Sequence, residues 1–125
     1  MQINDIVFLA SGAVLGALAR YIVTSKQLFI YGLPIGVLTV NVIGSIILGM
    51  FMTIFQLYGL DRRYLLFVAI GFCGSLTTMS SFAYEVANMI ENKQFIYFFL
   101  DIALNVGLSI LGIFIGRIIV LTIVK

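Results

Sequence analysis

Twelve residues, Gly71-Phe72-Cys73-Gly74-Ser75-Leu76-Thr77-Thr78-Met79-Ser80-Ser81-Phe82, interrupt a stretch that is otherwise apolar enough to cross a membrane. They include two glycines, five hydroxyl side chains and two phenylalanines. In hydrocarbon an unpaired backbone amide or carbonyl costs several kcal/mol. A helix broken here survives only where it faces protein, water or an ion. The break frees carbonyls at the end of one half-helix and amides at the start of the next, and the carbonyl end suits a small hard cation such as Na⁺, held by oxygen alone. One or two hydroxyl residues would be explained by bonds back to the carbonyl four residues earlier; five within residues 75–81 are not. The predicted chemistry is a small-ion pathway with a coordinated ion.

Other polar residues fall in apolar surroundings. Asn41 carries an amide that costs free energy in the membrane unless partnered, so it either bonds a neighbouring helix or lines a wet cavity. Asp101, Asn105 and Ser109 stand at i, i+4 and i+8, a single stripe on an Ile/Leu/Phe/Val-rich helix that faces the protein interior or an aqueous path. Asp101, within two turns of that helix's start, is predicted to be solvated, where a helix N-terminus favours an anion. Glu85, one turn after Ser81, reads as an interfacial or vestibule carboxylate with a polar partner.

The chain that must position these groups has 125 residues, 62% of them hydrophobic and 10% charged. A soluble domain carries about 25% charged residues. No charge occurs from Gln27 to Leu60, from Tyr64 to Tyr84 or from Ile102 to Gly116. A span needs ~20 mostly apolar residues, and the chain divides into four, roughly 4–24, 35–56, 64–90 and 95–121, in a single domain over 1–125. Apolar residues run continuously instead of alternating, so the spans are helices and not barrel strands. The first is a retained helix: it lacks a basic start and a small-x-small cleavage site and ends in Arg20-Tyr21, an interfacial pair. Gly12 and Gly16, and then Gly36, Gly44, Ser45 and Gly49, have the spacing of small residues that let membrane helices approach closely.

Odd-numbered connections place Arg62, Arg63, Arg117 and Lys125 on one side of the membrane and Arg20, Lys26 and Lys93 on the other. Lys/Arg asymmetry fixes orientation, and four against three is almost none. Two readings stay open: a weak but definite orientation, or dual topology, in which copies insert both ways and pair antiparallel. Four short helices enclose too little interior for a pore, which favours a dimer. The lone Cys73 permits no internal disulfide, histidine is absent, and the net charge of +2 is spread along the chain, so zinc and nucleic acid are not expected partners.

On three ordered motifs, and over nearly its full length, the chain resembles the Fluc (CrcB-type) fluoride channels. The motifs are Gly16-Ala17-Leu18-Ala19-Arg20-Tyr21, Gly36 through Ser45 with Gly49, and Gly71 through Phe82 followed by Glu85. The resemblance implies an all-α integral membrane protein of four transmembrane helices with a broken third helix, paired as a dual-topology antiparallel homodimer. It implies two fluoride pathways and a central structural Na⁺ on the backbone carbonyls of Gly74 and Thr77 from both subunits. It assigns Asn41 as a pore-lining donor, Thr78, Ser81, Asn105 and Ser109 to the polar track, and Arg20 to the vestibule. The family's two pore phenylalanines map to Met79 and Phe82. Met79 keeps the bulk but lacks the oriented quadrupole of a ring. Asp101 departs from the neutral or aromatic residue expected there.

These observations predict a fluoride-selective channel that exports cytoplasmic fluoride passively and protects the cell, in a bacterial inner membrane. Neutral donors with no fixed cation at mid-membrane can replace an anion's hydration without trapping it. Selectivity over chloride is implied by the resemblance alone. A small dual-topology drug exporter shares the size and charge balance, but the first span has no carboxylate at mid-depth and no tryptophan is present to cage a cation. A non-transporting assembly subunit leaves the third span unexplained. An enzyme is not expected, with no histidine, no cysteine partner and no paired carboxylates.

Overall fold

The computed structural model describes residues 2–26 and 28–125. Four helices are long and apolar enough to cross a bilayer: Ile3–Thr24, Gly36–Tyr58, Arg62–Glu91 and Phe95–Ile123. Helix α1 is Ile3–Thr24 and α2 is Gly36–Tyr58. Between them lies a short antiparallel hairpin, β1 Phe29–Ile30 and β2 Leu33–Pro34, with Phe29 opposite Pro34 and Ile30 opposite Leu33. Hydropathy did not announce it. Its two turn residues, Tyr31 at φ 50° and Gly32 at φ 87°, have the positive φ of a tight turn matched to strand twist.

Helix α2 stops at Gly59, whose φ of 58° is cheap only for glycine; its N–H donates to the Phe55 carbonyl at 3.0 Å. Asp61 then caps the third span, its Oδ1 accepting from the Arg63 N–H at 2.8 Å. That span is compound. A turn of α-helix, α3 Arg62–Tyr64, leads into nine π-helical residues, Leu65–Cys73, and then α4 Gly74–Leu76. Thr77 and Thr78 are extended (ψ 153° and 112°), and α5 resumes from Met79 to Glu91. The last span is α6, Phe95–Ile123.

The packing inverts that of a soluble protein. Large apolar side chains such as Leu18, Ile43, Phe99 and Ile118 are exposed on the single chain, while Gly12, Gly16, Gly44, Gly49, Gly71, Gly112 and Gly116 are buried. Lipid tails are as apolar as leucine, so close backbone approach takes the place of the hydrophobic effect. On α1, a Cβ at Gly12 would meet the Phe67 carbonyl and one at Gly16 the Phe72 carbonyl. These contacts join α1 to the third span. A Cβ at Gly49 would meet the carbonyl of Ile113, and one at Gly116 that of Ile46, joining α2 to α6. The two helix pairs set α2, α6 and the middle of the third span around one concavity.

Candidate functional site

Where these three spans meet, an open-sided cavity of about 420 Å³ is lined by Asn41, Gly44, Ser45, Gly74, Thr77, Thr78, Met79, Phe82, Asn105 and Ser109 among others. Eight residues assigned from the sequence to the ion path or the Na⁺ site thus share one wall. Among the described residues no charged side chain lines it. Ser81 and Arg20 lie off this wall but touch residues on it.

The extended pair Thr77–Thr78 is held from both sides. In an uninterrupted helix the Thr78 N–H would close onto the Gly74 carbonyl; here it donates to Asn41 Oδ1 at 2.8 Å. Asn41 Nδ2 donates to Asn105 Oδ1 at 3.0 Å and, at a longer 3.4 Å, to the Thr78 carbonyl. The two readings of Asn41 are therefore both realised: it bonds neighbouring helices and lines the cavity. Thr78 also caps α5, its Oγ1 accepting from the Ser81 N–H at 3.2 Å and donating to Ser81 Oγ at 3.0 Å.

Thr77 follows the simpler rule that the hydroxyl cluster was expected to break. Its Oγ1 donates to the Cys73 carbonyl four residues back at 2.9 Å. Thr24, Thr39, Thr53 and Thr122 do the same in their own helices. The Thr77 carbonyl accepts from Arg20 Nη1 at 3.4 Å, a contact across 57 residues of sequence.

Two carboxylates differ from expectation. Asp101 is not solvated: it is 0% exposed, because it lies on the face of α6 that continues through Asn105, Gly112 and Gly116 against α2. Its Oδ1 accepts from Asn105 Nδ2 at 2.8 Å, and its Oδ2 has no partner among the described residues. Glu85 Oε2 is buried without a partner as well. Glu85 lines a second cavity, of about 450 Å³, between the hairpin and α5, with Thr24, Lys26, Asn88 and Gln94 on its walls.

Phe82 is buried, whereas Met79 is 74% exposed on the single chain. Ser45 was read only as a small packing residue. It stands one turn from Asn41 on the cavity wall, and its hydroxyl has no partner among the described residues, as for Ser109. Its i+4 spacing from Asn41 was the signal that could have found it. Gly44 is a packing residue with a specific target: a Cβ there would collide with the Thr77 methyl. Gly44→Ala should therefore lower the thermal stability of purified protein by roughly 1–3 kcal/mol, and adding Thr77→Ser, which removes the methyl and keeps the hydroxyl, should recover most of it. An additive double variant would remove this contact from the account of the bend.

The arrangement offers an unhydrated anion several weak, neutral hydrogen bonds. Candidate donors are the Ser45 and Ser109 hydroxyls, the Asn105 N–H not used by Asp101, and the Asn41 N–H on its long contact. Such a lining can stabilise a small anion without holding it.

Comparison with known proteins agrees on the kind of molecule. Proteins named fluoride-specific ion channel FluC match from Nitrosopumilus maritimus at 52% identity, covering 97% of this chain and 96% of that one. The one from Sulfurihydrogenibium is 46% identical, over 86% and 90%. The one from Methanocaldococcus jannaschii is 33% identical, over 99% and 100%. The family described as CrcB-like protein, Camphor Resistance (CrcB), matches residues 7–117. With four membrane-crossing helices, a cavity of neutral donors and relatives matched end to end, this chain belongs to the CrcB-like family, as a multi-pass protein of the cell membrane and a transporter, not an enzyme.

Proposed function

We propose that this protein is a fluoride-selective channel that lets cytoplasmic fluoride leave passively down its gradient and so protects the cell. The observation that carries the reading is 52% identity across nearly the whole chain to a fluoride-specific ion channel. The neutral cavity supports it. Asn41, Thr78, Ser81, Asn105 and Ser109 form the polar lining, Phe82 and Met79 its bulky apolar side, and Arg20 the vestibule cation. Fluoride efflux from loaded liposomes, followed with a fluoride electrode, tests the reading; efflux no faster than from loaded liposomes without protein defeats it.

In the finer reading two copies pair antiparallel, and each dimer carries two pathways. The near balance of four against three basic residues supports insertion in both orientations. Reporter fusions at the carboxyl terminus should report both sides of the membrane, and two added terminal lysines should bias them. A single orientation in the unmodified chain rules out the antiparallel pair.

A structural Na⁺ belongs to the same reading, held by main-chain oxygens of Gly74 and Thr77 from both subunits. The residues fit such an ion. Diversion of the Thr78 N–H to Asn41 removes the helical donor of the Gly74 carbonyl, and Gly74 is exposed on the single chain. The Thr77 carbonyl has two lone pairs, so it can accept from Arg20 and still face a cation. Neutral oxygens without carboxylates suit a monovalent ion better than Ca²⁺. Its charge would offset the carbonyl ends gathered there.

At the apolar side, Met79→Phe should raise throughput and Phe82→Ala should lower it. A ring edge presents partial positive charge to an anion, and a thioether does not. Equal electrode-measured rates for both variants and the unmodified chain would take these positions away from the ion.

A further inference from the structure

The polar chain of the cavity ends on a residue that the fluoride reading leaves unused. Asp101 is 0% exposed inside a membrane-crossing helix and makes one side-chain hydrogen bond, accepting from Asn105 Nδ2 at 2.8 Å. Its other oxygen has no partner among the described residues. A fully buried carboxyl group in the bilayer is costly and calls for a function. If helix packing were the only requirement here, leucine would meet it at lower cost.

Donor and acceptor types supply that function. Asp101 Oδ1 accepts from Asn105 Nδ2; an ionised carboxylate can only accept, and a protonated one keeps a carbonyl oxygen that accepts in the same place. Asn105 therefore turns its nitrogen toward Asp101 and its oxygen away, and that oxygen accepts from Asn41 Nδ2 at 3.0 Å. Asn41 is left with its oxygen toward the main-chain N–H of Thr78, at 2.8 Å. A flipped Asn105 would set oxygen against the carboxylate and nitrogen against nitrogen. The relay has an acceptor fixed at one end and a backbone donor fixed at the other, so it runs in one sense only. We propose that Asp101 is a positioning residue: acting through Asn105, it orients the Asn41 amide. The oxygen then pins the helix bend at Thr78, and the N–H on the 3.4 Å contact stays available to the permeating anion.

This inference rests on the fluoride reading for its flux arm only, and a second arm is independent of it. Asp101→Leu should lower fluoride efflux roughly tenfold, the scale of one lost charged hydrogen bond. Asp101→Asn, which keeps an acceptor oxygen but can also present its nitrogen, should be intermediate. Asn105→Leu cuts the relay one link later, and adding Asp101→Leu to it should change nothing further. A packing role predicts the opposite order, because removing a buried carboxylate favours the fold. Unchanged or raised efflux in a folded Asp101→Leu protein overturns the proposal. In the second arm, protein labelled with ¹⁵N at asparagine is followed by NMR for exchange of the Asn41 side-chain amide, with no fluoride present. Protection in the unmodified chain, lost in Asp101→Leu or Asn105→Leu and partly kept in Asp101→Asn, supports the relay; equal protection in all overturns it. A chain that passes no fluoride would remove the fluoride reading while the exchange data still decide the relay.

Discussion

Asn41→Asp should abolish fluoride efflux, by about a thousandfold, in protein that still inserts and pairs. An added carboxylate ~4 Å from a permeating anion costs about 4 kcal/mol at the effective dielectric of a partly wet site, and each 1.4 kcal/mol is a factor of ten. Geometry adds to the charge effect. Asn41 Nδ2 now serves two acceptors, Asn105 Oδ1 at 3.0 Å and the Thr78 carbonyl at 3.4 Å. An ionised aspartate would oppose both with an oxygen, and a protonated one has a single hydrogen for two acceptors. The remaining oxygen can still accept from the Thr78 N–H, so the bend itself should persist. Asn41→Ala separates the two contributions, since it removes both donors without adding charge; its loss should be smaller. The measurement is electrode-followed efflux from liposomes at matched protein content, with size-exclusion chromatography to establish assembly. Efflux near that of the unmodified chain in Asn41→Asp would take Asn41 out of the ion's path.

The spans were legible because hydropathy is a local property: the intervals between charges mark helices that Ile3–Thr24, Gly36–Tyr58, Arg62–Glu91 and Phe95–Ile123 now delimit. Glycine spacing was also legible, because close helix approach leaves no other residue at Gly12, Gly16 and Gly49. The polar stripe on α6 was readable from its period of four. Which end of it lies buried was not. Depth depends on the neighbouring elements, and Asp101 is buried although it is near the start of its own span.

The hydroxyl cluster shows how one composition can hide two roles. Thr77 and Thr78 are adjacent and chemically alike, yet Thr77 bonds back to Cys73 while Thr78 caps α5 and gives its N–H to Asn41. The difference is set by a partner 37 residues away, and no local rule encodes it. The Asn41–Asn105 bond spans 64 residues and the Arg20–Thr77 bond 57. Motif resemblance brought these residues into one site before any distance could be assigned. It did not anticipate Asp101 at the end of their hydrogen-bonded chain.

Gly74→Leu should give a chain that inserts normally but neither pairs nor conducts, whereas Gly49→Leu should fail at the level of the single chain. The contrast follows from what each added side chain would meet. At Gly49 a Cβ falls against the Ile113 carbonyl, with Ile113 carbon atoms at 3.0 Å, all of them backbone. Two helix backbones in such contact cannot yield a methylene without moving apart, and Gly116 faces Ile46 in the same way from the other helix. Overpacking of this kind costs roughly 1–3 kcal/mol per site or more. With little apolar driving force between helices in lipid, no hydrophobic gain offsets a separation of the closely packed α2–α6 backbones. At Gly74 a Cβ finds only the Ala69 carbonyl, at an ordinary 3.7 Å, and the backbone is in the right-handed helical region at φ −64°, which any residue adopts. The single chain therefore has room for a Cβ there; because Gly74 also lines the cavity, leucine can lower flux by filling it, so the loss that reports on a partner is the loss of pairing. In the proposed dimer Gly74 is covered by the second copy, with the carbonyl-bound Na⁺ between the two bends. Size-exclusion chromatography with light scattering, together with liposome efflux, reads both parts. Gly74→Leu protein that pairs and conducts like the unmodified chain would place the partner, and with it the ion, away from the bend in the third span.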